Sequence, residues 1–327
     1  MSETRSAWRR VGGVASEYAA LALVLAAMAI AFELAIWLRS GRHFLTEPVM
    51  LTILNRIPYA IVLAVGMTFV LVIAAIDLSV GSVLALSAAV LGVCLVKAHL
   101  SLGVAIAACL GTGLACGALN GAVTIAWRLP SFIVTLGMLE MARGGTYLVT
   151  KMETVYLGGK VEAIADISWR GLSLPFFIAM AIVFVGQFVL ARTVFGRYLV
   201  AIGTNEEAVR LSGIDPRPIK LAVFTLCGLL SAVAAVMHAA KLPSANPGIG
   251  QGYELEAIAA AVIGGTSLMG GRGSVVASFF GVLIMAVLSA GLAQLGVPEE
   301  QKRLVTGFVI VAAVIVDYYR RRLAKAA

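Results

Sequence analysis

The residues of this chain that could do chemistry are few and stand apart. His43, His99 and His238 are far from one another and have no metal-ligand spacing. Cys94, Cys109, Cys116 and Cys227 fall inside apolar runs without a CxxC or Cys/His pattern, so they read as packing residues rather than a zinc site or a disulfide framework. There is no GxxxxGK(S/T) phosphate loop, no GxSxG and no HExxH. The chain therefore has no residues to carry ATP hydrolysis or an enzymatic step, and no cofactor is expected on it.

Charged residues within the apolar runs are the next candidates, because a charge at a helix centre costs about 2.5–3.5 kcal/mol on insertion scales. They are Glu33, Glu140, Arg143 and Asp77, the last at a turn. Glu140 and Arg143 are three apart and can neutralise each other on one helix face, which predicts a structural ion pair near the outer end of that helix. A proton relay would need more carboxylates or histidines in mid-span than the sequence offers. Neutral polar residues are more suggestive. Gly113, Gly117 and Gly121 form a small-xxx-small stripe that lets another helix approach. Asn120 beside them must find a partner or a cavity. Ser131, Thr135, Thr146 and Thr150 suit either a passage for an uncharged, hydroxyl-rich solute or hydrogen bonds between helices. The stretch IGGTSLMGGRGS, from Ile263 to Ser274, lacks the strand-glycine-helix context of a phosphate cradle and predicts a broken or short helix beside the path. The candidate path residues are thus Asn120, Ser131, Thr135, Gly264, Gly265 and Thr266.

The longest polar run, residues 192–220, has to face water. Asn205 can cap a helix there, with Glu206 and Glu207 in its first turn, Arg210 near its end and Gly213 as a stop reinforced by Pro216 and Pro218. A helix of roughly two turns is too small to be a domain and the right size to dock into another protein.

The rest of the chain must be membrane. Of 327 residues, 61% are hydrophobic and 13% charged, against about 45–50% and 25% in soluble proteins. The expected fold is all-α and polytopic, a single transmembrane domain over 1–327 with the 192–220 loop inside it. Ten spans are predicted, at about 18–38, 57–76, 80–97, 101–126, 131–150, 172–191, 219–240, 254–269, 274–295 and 303–319. The first is read as an uncleaved span, not a signal peptide. The net charge of +8 could suggest nucleic acid, but Arg5, Arg9 and Arg10 precede the first run and Arg320, Arg321, Arg322 and Lys325 follow the last. That placement reads as a topology signal with both termini and the polar loop cytoplasmic. GSVLAL (Gly81 to Leu86) echoes GSVVAS (Gly273 to Ser278), which predicts a two-fold internal repeat with a path between the halves.

Four stretches together resemble the permease subunits of ribose/xylose-type sugar ABC importers, within the larger family that includes branched-chain amino acid permeases. They are IDLSVGS (Ile76 to Ser82), LPSFIVTLGMLEMARG (Leu129 to Gly144), GRYLVAIGTNEEAVRLSGI (Gly196 to Ile214) and GYELEAIAAAVIGGTSLMGGRGS (Gly252 to Ser274). VTGFVIVAAVIVD (Val305 to Asp317) is a weaker fifth. The resemblance implies two permease chains forming a pore in the bacterial inner membrane, two cytoplasmic ATPase chains powering it and a periplasmic sugar-binding protein delivering a monosaccharide. It also implies that Gly203, Thr204, Asn205, Glu206, Glu207, Ala208, Arg210 and Gly213 couple the pore to the ATPase. The same machinery serving a branched-chain amino acid, a nucleoside or a signalling furanose stays open, and a gradient-driven carrier is the remaining alternative.

Overall fold

A computed structural model describes the backbone of residues 2–326 and the side-chain surroundings of residues 18–312, 314 and 315. The side chains of the terminal basic residues that set the predicted topology lie outside those described. The helices are α1 (Ser2–Ser40), α2 (Glu47–Arg56), α3 (Pro58–Val72), α4 (Val80–Gly92), α5 (Leu102–Ala126), α6 (Ser131–Thr150), α7 (Gly159–Asp166), α8 (Leu174–Arg192), α9 (Val194–Leu211), α10 (Pro216–Lys241), α11 (Tyr253–Ile263), α12 (Val275–Gln294) and α13 (Glu299–Ala326). Strands are confined to two short antiparallel pairs. β1 (Val155–Tyr156) pairs with a strand at Ser244–Ala245, and a hairpin joins Ser168–Trp169 to Leu172–Ser173.

Among the described residues, six helical segments are long and apolar enough to cross a membrane: Tyr18–Ser40, Val80–Lys97, Leu102–Ala126, Leu174–Arg192, Pro216–Lys241 and Val275–Gln294. The pair α2 and α3, bent by 48°, makes a seventh if counted as one span. The bend falls at Pro58, which has no N–H to continue the ladder from α2. α2, just before the predicted span at 57–76, is thus a helix in its own right.

α3 is the centre of the molecule. Its residues from Ile61 to Val72 are buried without interruption, as expected of a helix apolar all round. It packs against α8, α10, α11 and α12. The glycine stripe of α5 lies against α10, the most extensive helix contact in the molecule. A Cβ at Gly113 would strike the carbonyl of Gly228, one at Gly117 the carbonyl of Phe224, and one at Gly228 the carbonyl of Gly113. The stripe works from both sides, so the two backbones touch where side chains would hold them apart.

Two junctions between helices are irregular. α3 stops at Val72 and the chain resumes as α4 only at Val80. α11 has 11 residues, about 16 Å at 1.5 Å each and too short to cross. It is followed by an irregular stretch to Ser274 before α12 begins. The predicted short eighth span is therefore shorter still than 254–269. The predicted polar loop at 192–220 is mostly helix, because α9 begins at Val194 and its first part packs into the body of the protein.

Replacing Gly228 with Val should lower the thermal stability of the detergent-solubilised protein by about 1–3 kcal/mol, the usual cost of overpacking. Gly111, whose Cβ would meet open space, is the control, and Gly111→Val should leave the melting temperature unchanged.

Candidate functional site

The segment singled out in the polar run folds as its capping signals require. Asn205 leaves helical geometry, with φ −160° and ψ 96°, and kinks α9. Its Oδ1 accepts from the Ala208 N–H at 3.0 Å, so it caps a second, short helix running to Leu211. Gly213, at φ +83°, supplies the left-handed stop. Arg210 donates to both Glu207 oxygens at 2.7 and 2.8 Å, and that carboxylate pushes the guanidinium pKa further up. Both side chains are exposed, so the pair adds little stability and stays available to a partner. Lys220 reaches back to Glu206 at 3.0 Å and ties the short helix to the first turn of α10.

The short helix borders an open cleft of about 710 Å³. Its far wall is the α5–α6 turn, with Thr124, Arg128 and Leu129, and its floor is the 213–220 connection. Leu211, 80% exposed, and Trp127, 69% exposed, stand at this end of the molecule. An apolar and charged rim around a cleft of that size can receive a segment of another protein.

At the base of the short helix, three stretches of backbone meet. A Cβ on Gly203 would collide with the carbonyl of Val72, the last residue of α3. That carbonyl accepts the Gly271 N–H at 2.9 Å. A Cβ on Gly270 would come within 2.7 Å of the Gly203 carbonyl, and one on Gly271 within 2.6 Å of the Thr204 hydroxyl. α9 is thus seated directly on both helix interruptions. Gly270 and Gly271, at φ +80° and +73°, turn the chain where a larger residue would be strained.

Sequence-predicted path residues gather at the same two interruptions. At the first, Ser131 Oγ accepts the Ile76 N–H at 2.9 Å and Thr135 Oγ1 accepts the Leu78 N–H at 3.0 Å. Asn120 donates to Ser79 Oγ at 2.9 Å, and Asp77 accepts from the Ser79 amide and hydroxyl at 2.8 and 2.6 Å. Asn120, Thr135 and Asp77 are buried; Thr135 and Asp77 accept from unwound backbone amides, whereas Asn120 reaches the Ser79 hydroxyl and its Oδ1 has no partner among the described residues. Thr146 and Thr150 each donate one turn back along α6, to Ala142 and Thr146. At the second interruption Gly264 lies against the backbone of Ala277 and Ser278. Gly265 turns at φ +86°. Thr266 reaches the Ser278 hydroxyl at 3.4 Å, and Thr68 of α3 reaches it at 2.8 Å.

The expected ion pair between Glu140 and Arg143 does not form. Arg143 is buried and donates to the carbonyls of Pro247 and Ile249 at 2.9 and 2.7 Å. It pins the loop before α11 against α6, and a Cβ on Gly81 would strike the Gly250 carbonyl of the same loop. Helical spacing permitted the pair, but two buried carbonyls in need of a donor hold the guanidinium instead. Glu140 is left exposed. The junction of Val72, Gly203 and Gly271 could not be read from the sequence, although its glycines lie within the AIGTN and MGGRG stretches that suggested the family. Among the described residues no group of three or more His, Cys, Asp or Glu side chains could hold a metal.

Residues 49–314 match the family described as "Branched-chain amino acid transport system / permease component". The chain is 42% identical over 282 residues to the ribose import permease protein RbsC of Escherichia coli K12, covering 84% of this chain and 87% of the relative. It is 36% identical over 267 residues to the L-arabinose ABC transporter permease protein AraH of Azospirillum brasilense, covering 81% and 78%. It is 32% identical over 300 residues to the fructose import permease protein FrcC of Rhizobium meliloti, covering 87% and 81%. No solved structure matches the chain. With several apolar helices, two irregular helix junctions and a water-facing capped helix seated on both, this chain belongs to the branched-chain amino acid/sugar permease family and is a multi-pass inner-membrane transport subunit.

Proposed function

We propose that this chain is the pore-forming permease of an ATP-driven monosaccharide importer and that the helix from Asn205 to Gly213 is where the ATPase engages it. The observation that carries the reading is the position of that helix. It rims an open cleft, and at its base Gly203 rests on the Val72 carbonyl that also holds Gly271. A push on the helix reaches both irregular junctions through backbone atoms, with no flexible side chain in between. Glu206, Glu207 and Arg210 give its exposed face the charge for a specific partner, and Ala208 and Thr204 complete it.

The solute is a monosaccharide, because relatives named for ribose, arabinose, fructose and xylose all match over most of the chain. A periplasmic sugar-binding protein delivers it, and a second permease chain completes the pore. Ten crossings, one of them made by α11 together with the irregular stretch that follows it, put both ends in the cytoplasm, and the two irregular regions are halves of a repeat. α3 and α4 flank one break and α11 and α12 the other, with GSVLAL and GSVVAS at the openings of α4 and α12. Asn120, Ser131 and Thr135 at the first break and Gly264, Gly265 and Thr266 at the second stand beside the path and fix the shape of its walls.

Reversing the exposed pair, Glu207→Arg with Arg210→Glu and each single change as control, should weaken co-purification of the ATPase while leaving membrane insertion intact. Normal co-purification by the charge-altered singles and the double would remove the helix from its role. In proteoliposomes, uphill sugar uptake should require ATPase, ATP and binding protein together. Uphill uptake by the permease alone would instead establish a gradient-driven carrier.

A further inference from the structure

The geometry points to Glu140 as a residue of the solute path itself, facing water in a channel that a second copy of this chain closes. This inference rests on the importer reading above. Glu140 is the tenth of the 20 residues of α6, and α6 lies along α4 and α5, both within spans long and apolar enough to cross a membrane. With α6 as the predicted span at 131–150, its carboxylate falls near mid-depth rather than at the outer end expected from the sequence. It is exposed, and among the described residues it forms no ion pair and no hydrogen bond. Its neighbours one turn away are Leu136, Gly137 and Gly144, together with Arg143, whose guanidinium is engaged by Pro247 and Ile249.

An uncompensated carboxylate at that depth cannot rest against lipid tails. The same face tells what does cover it. Gly137 and Gly144 have open space where a Cβ would stand, and Met141 and Leu148 are 64% and 82% exposed. Glycines with nothing beside them flank the carboxylate on the exposed face of a helix whose other face, at Thr135, Met138, Ala142 and Thr146, is buried. Such a face admits another helix above and below Glu140 and leaves a wet gap at it. Two copies related by a two-fold axis would present this one face to each other. Repulsion between the two carboxylates then keeps the gap open and hydrated. A carboxylate is an acceptor-only group, suited to the hydroxyls of a sugar.

The test uses the full chain assembled with its ATPase in membranes, with Glu140→Cys probed by a charged, membrane-impermeant thiol reagent. Phe184→Cys, at an exposed apolar position on α8, is the lipid-facing comparison, and the unaltered chain gives the background of its native cysteines. Glu140→Cys should label about tenfold faster or more than Phe184→Cys, because each unit by which apolar surroundings raise a thiol pKa removes tenfold of its thiolate. Gly137→Cys should give a covalent dimer on mild oxidation. Equal, slow labelling of Glu140→Cys and Phe184→Cys would overturn the proposal, and fast labelling without a covalent dimer would overturn the role of the second copy. Labelling needs no knowledge of the solute. If no monosaccharide is taken up by the unaltered complex, the importer reading fails independently of this result. Where uptake is measured, Glu140→Gln should raise KM several-fold with ATPase assembly unchanged, and unchanged uptake by Glu140→Leu would count against the proposal.

Discussion

One carbonyl group holds the working parts together. The oxygen of Val72 ends α3, accepts the Gly271 amide and is covered by Gly203, so three segments distant in sequence share one point of backbone contact. A side chain at position 203 would part α9 from α3, and the two irregular junctions would no longer be seated on the helix that faces water. Backbone contact of this kind transmits displacement because it has no rotamers to absorb it.

Interrupted helices expose amides and carbonyls that lipid cannot satisfy. The protein answers with short hydroxyl and amide side chains from the neighbouring helices. Ser131 and Thr135 serve the break after α3, with Asn120 holding the Ser79 hydroxyl beside them; Ser278, backed by Thr68, serves the one before α12, and Arg143 the loop that leads into α11. Ser131, Thr135 and Arg143 on α6 are thus committed to holding irregular backbone, while Thr112, Thr146, Thr150 and Ser231 donate one turn back within their own helices. Glu140 departs from that pattern, since it serves no backbone group among the described residues and stands on an open helix face.

Local rules made part of this legible. The Asn205 cap and Gly213 stop followed from side-chain chemistry within a few residues, and the α5 glycine stripe followed from its spacing, although the sequence named no partner and the structure supplies Gly228. Long-range commitments were not legible. Spacing of three residues suggested that Glu140 and Arg143 would pair, and nothing near Arg143 in sequence announces the carbonyls of Pro247 and Ile249. Hydropathy likewise marked 57–97 and 254–295 as membrane, but it does not record where backbone unwinds once neighbouring helices satisfy it. The first half of α9 reads as polar loop because Arg197 lies in it and Arg192, the last residue of α8, precedes it, yet Leu199 and Ile202 are buried.

Transmission through Gly203 is most directly tested by comparing ATP hydrolysis with solute uptake in a reconstituted complex bearing Gly203→Val. If the Val72 junction carries the stroke, the ATPase should still co-purify and hydrolyse ATP while uptake per ATP falls several-fold. A folded Gly203→Val complex that imports solute with the same yield per ATP as the unaltered protein would contradict that role.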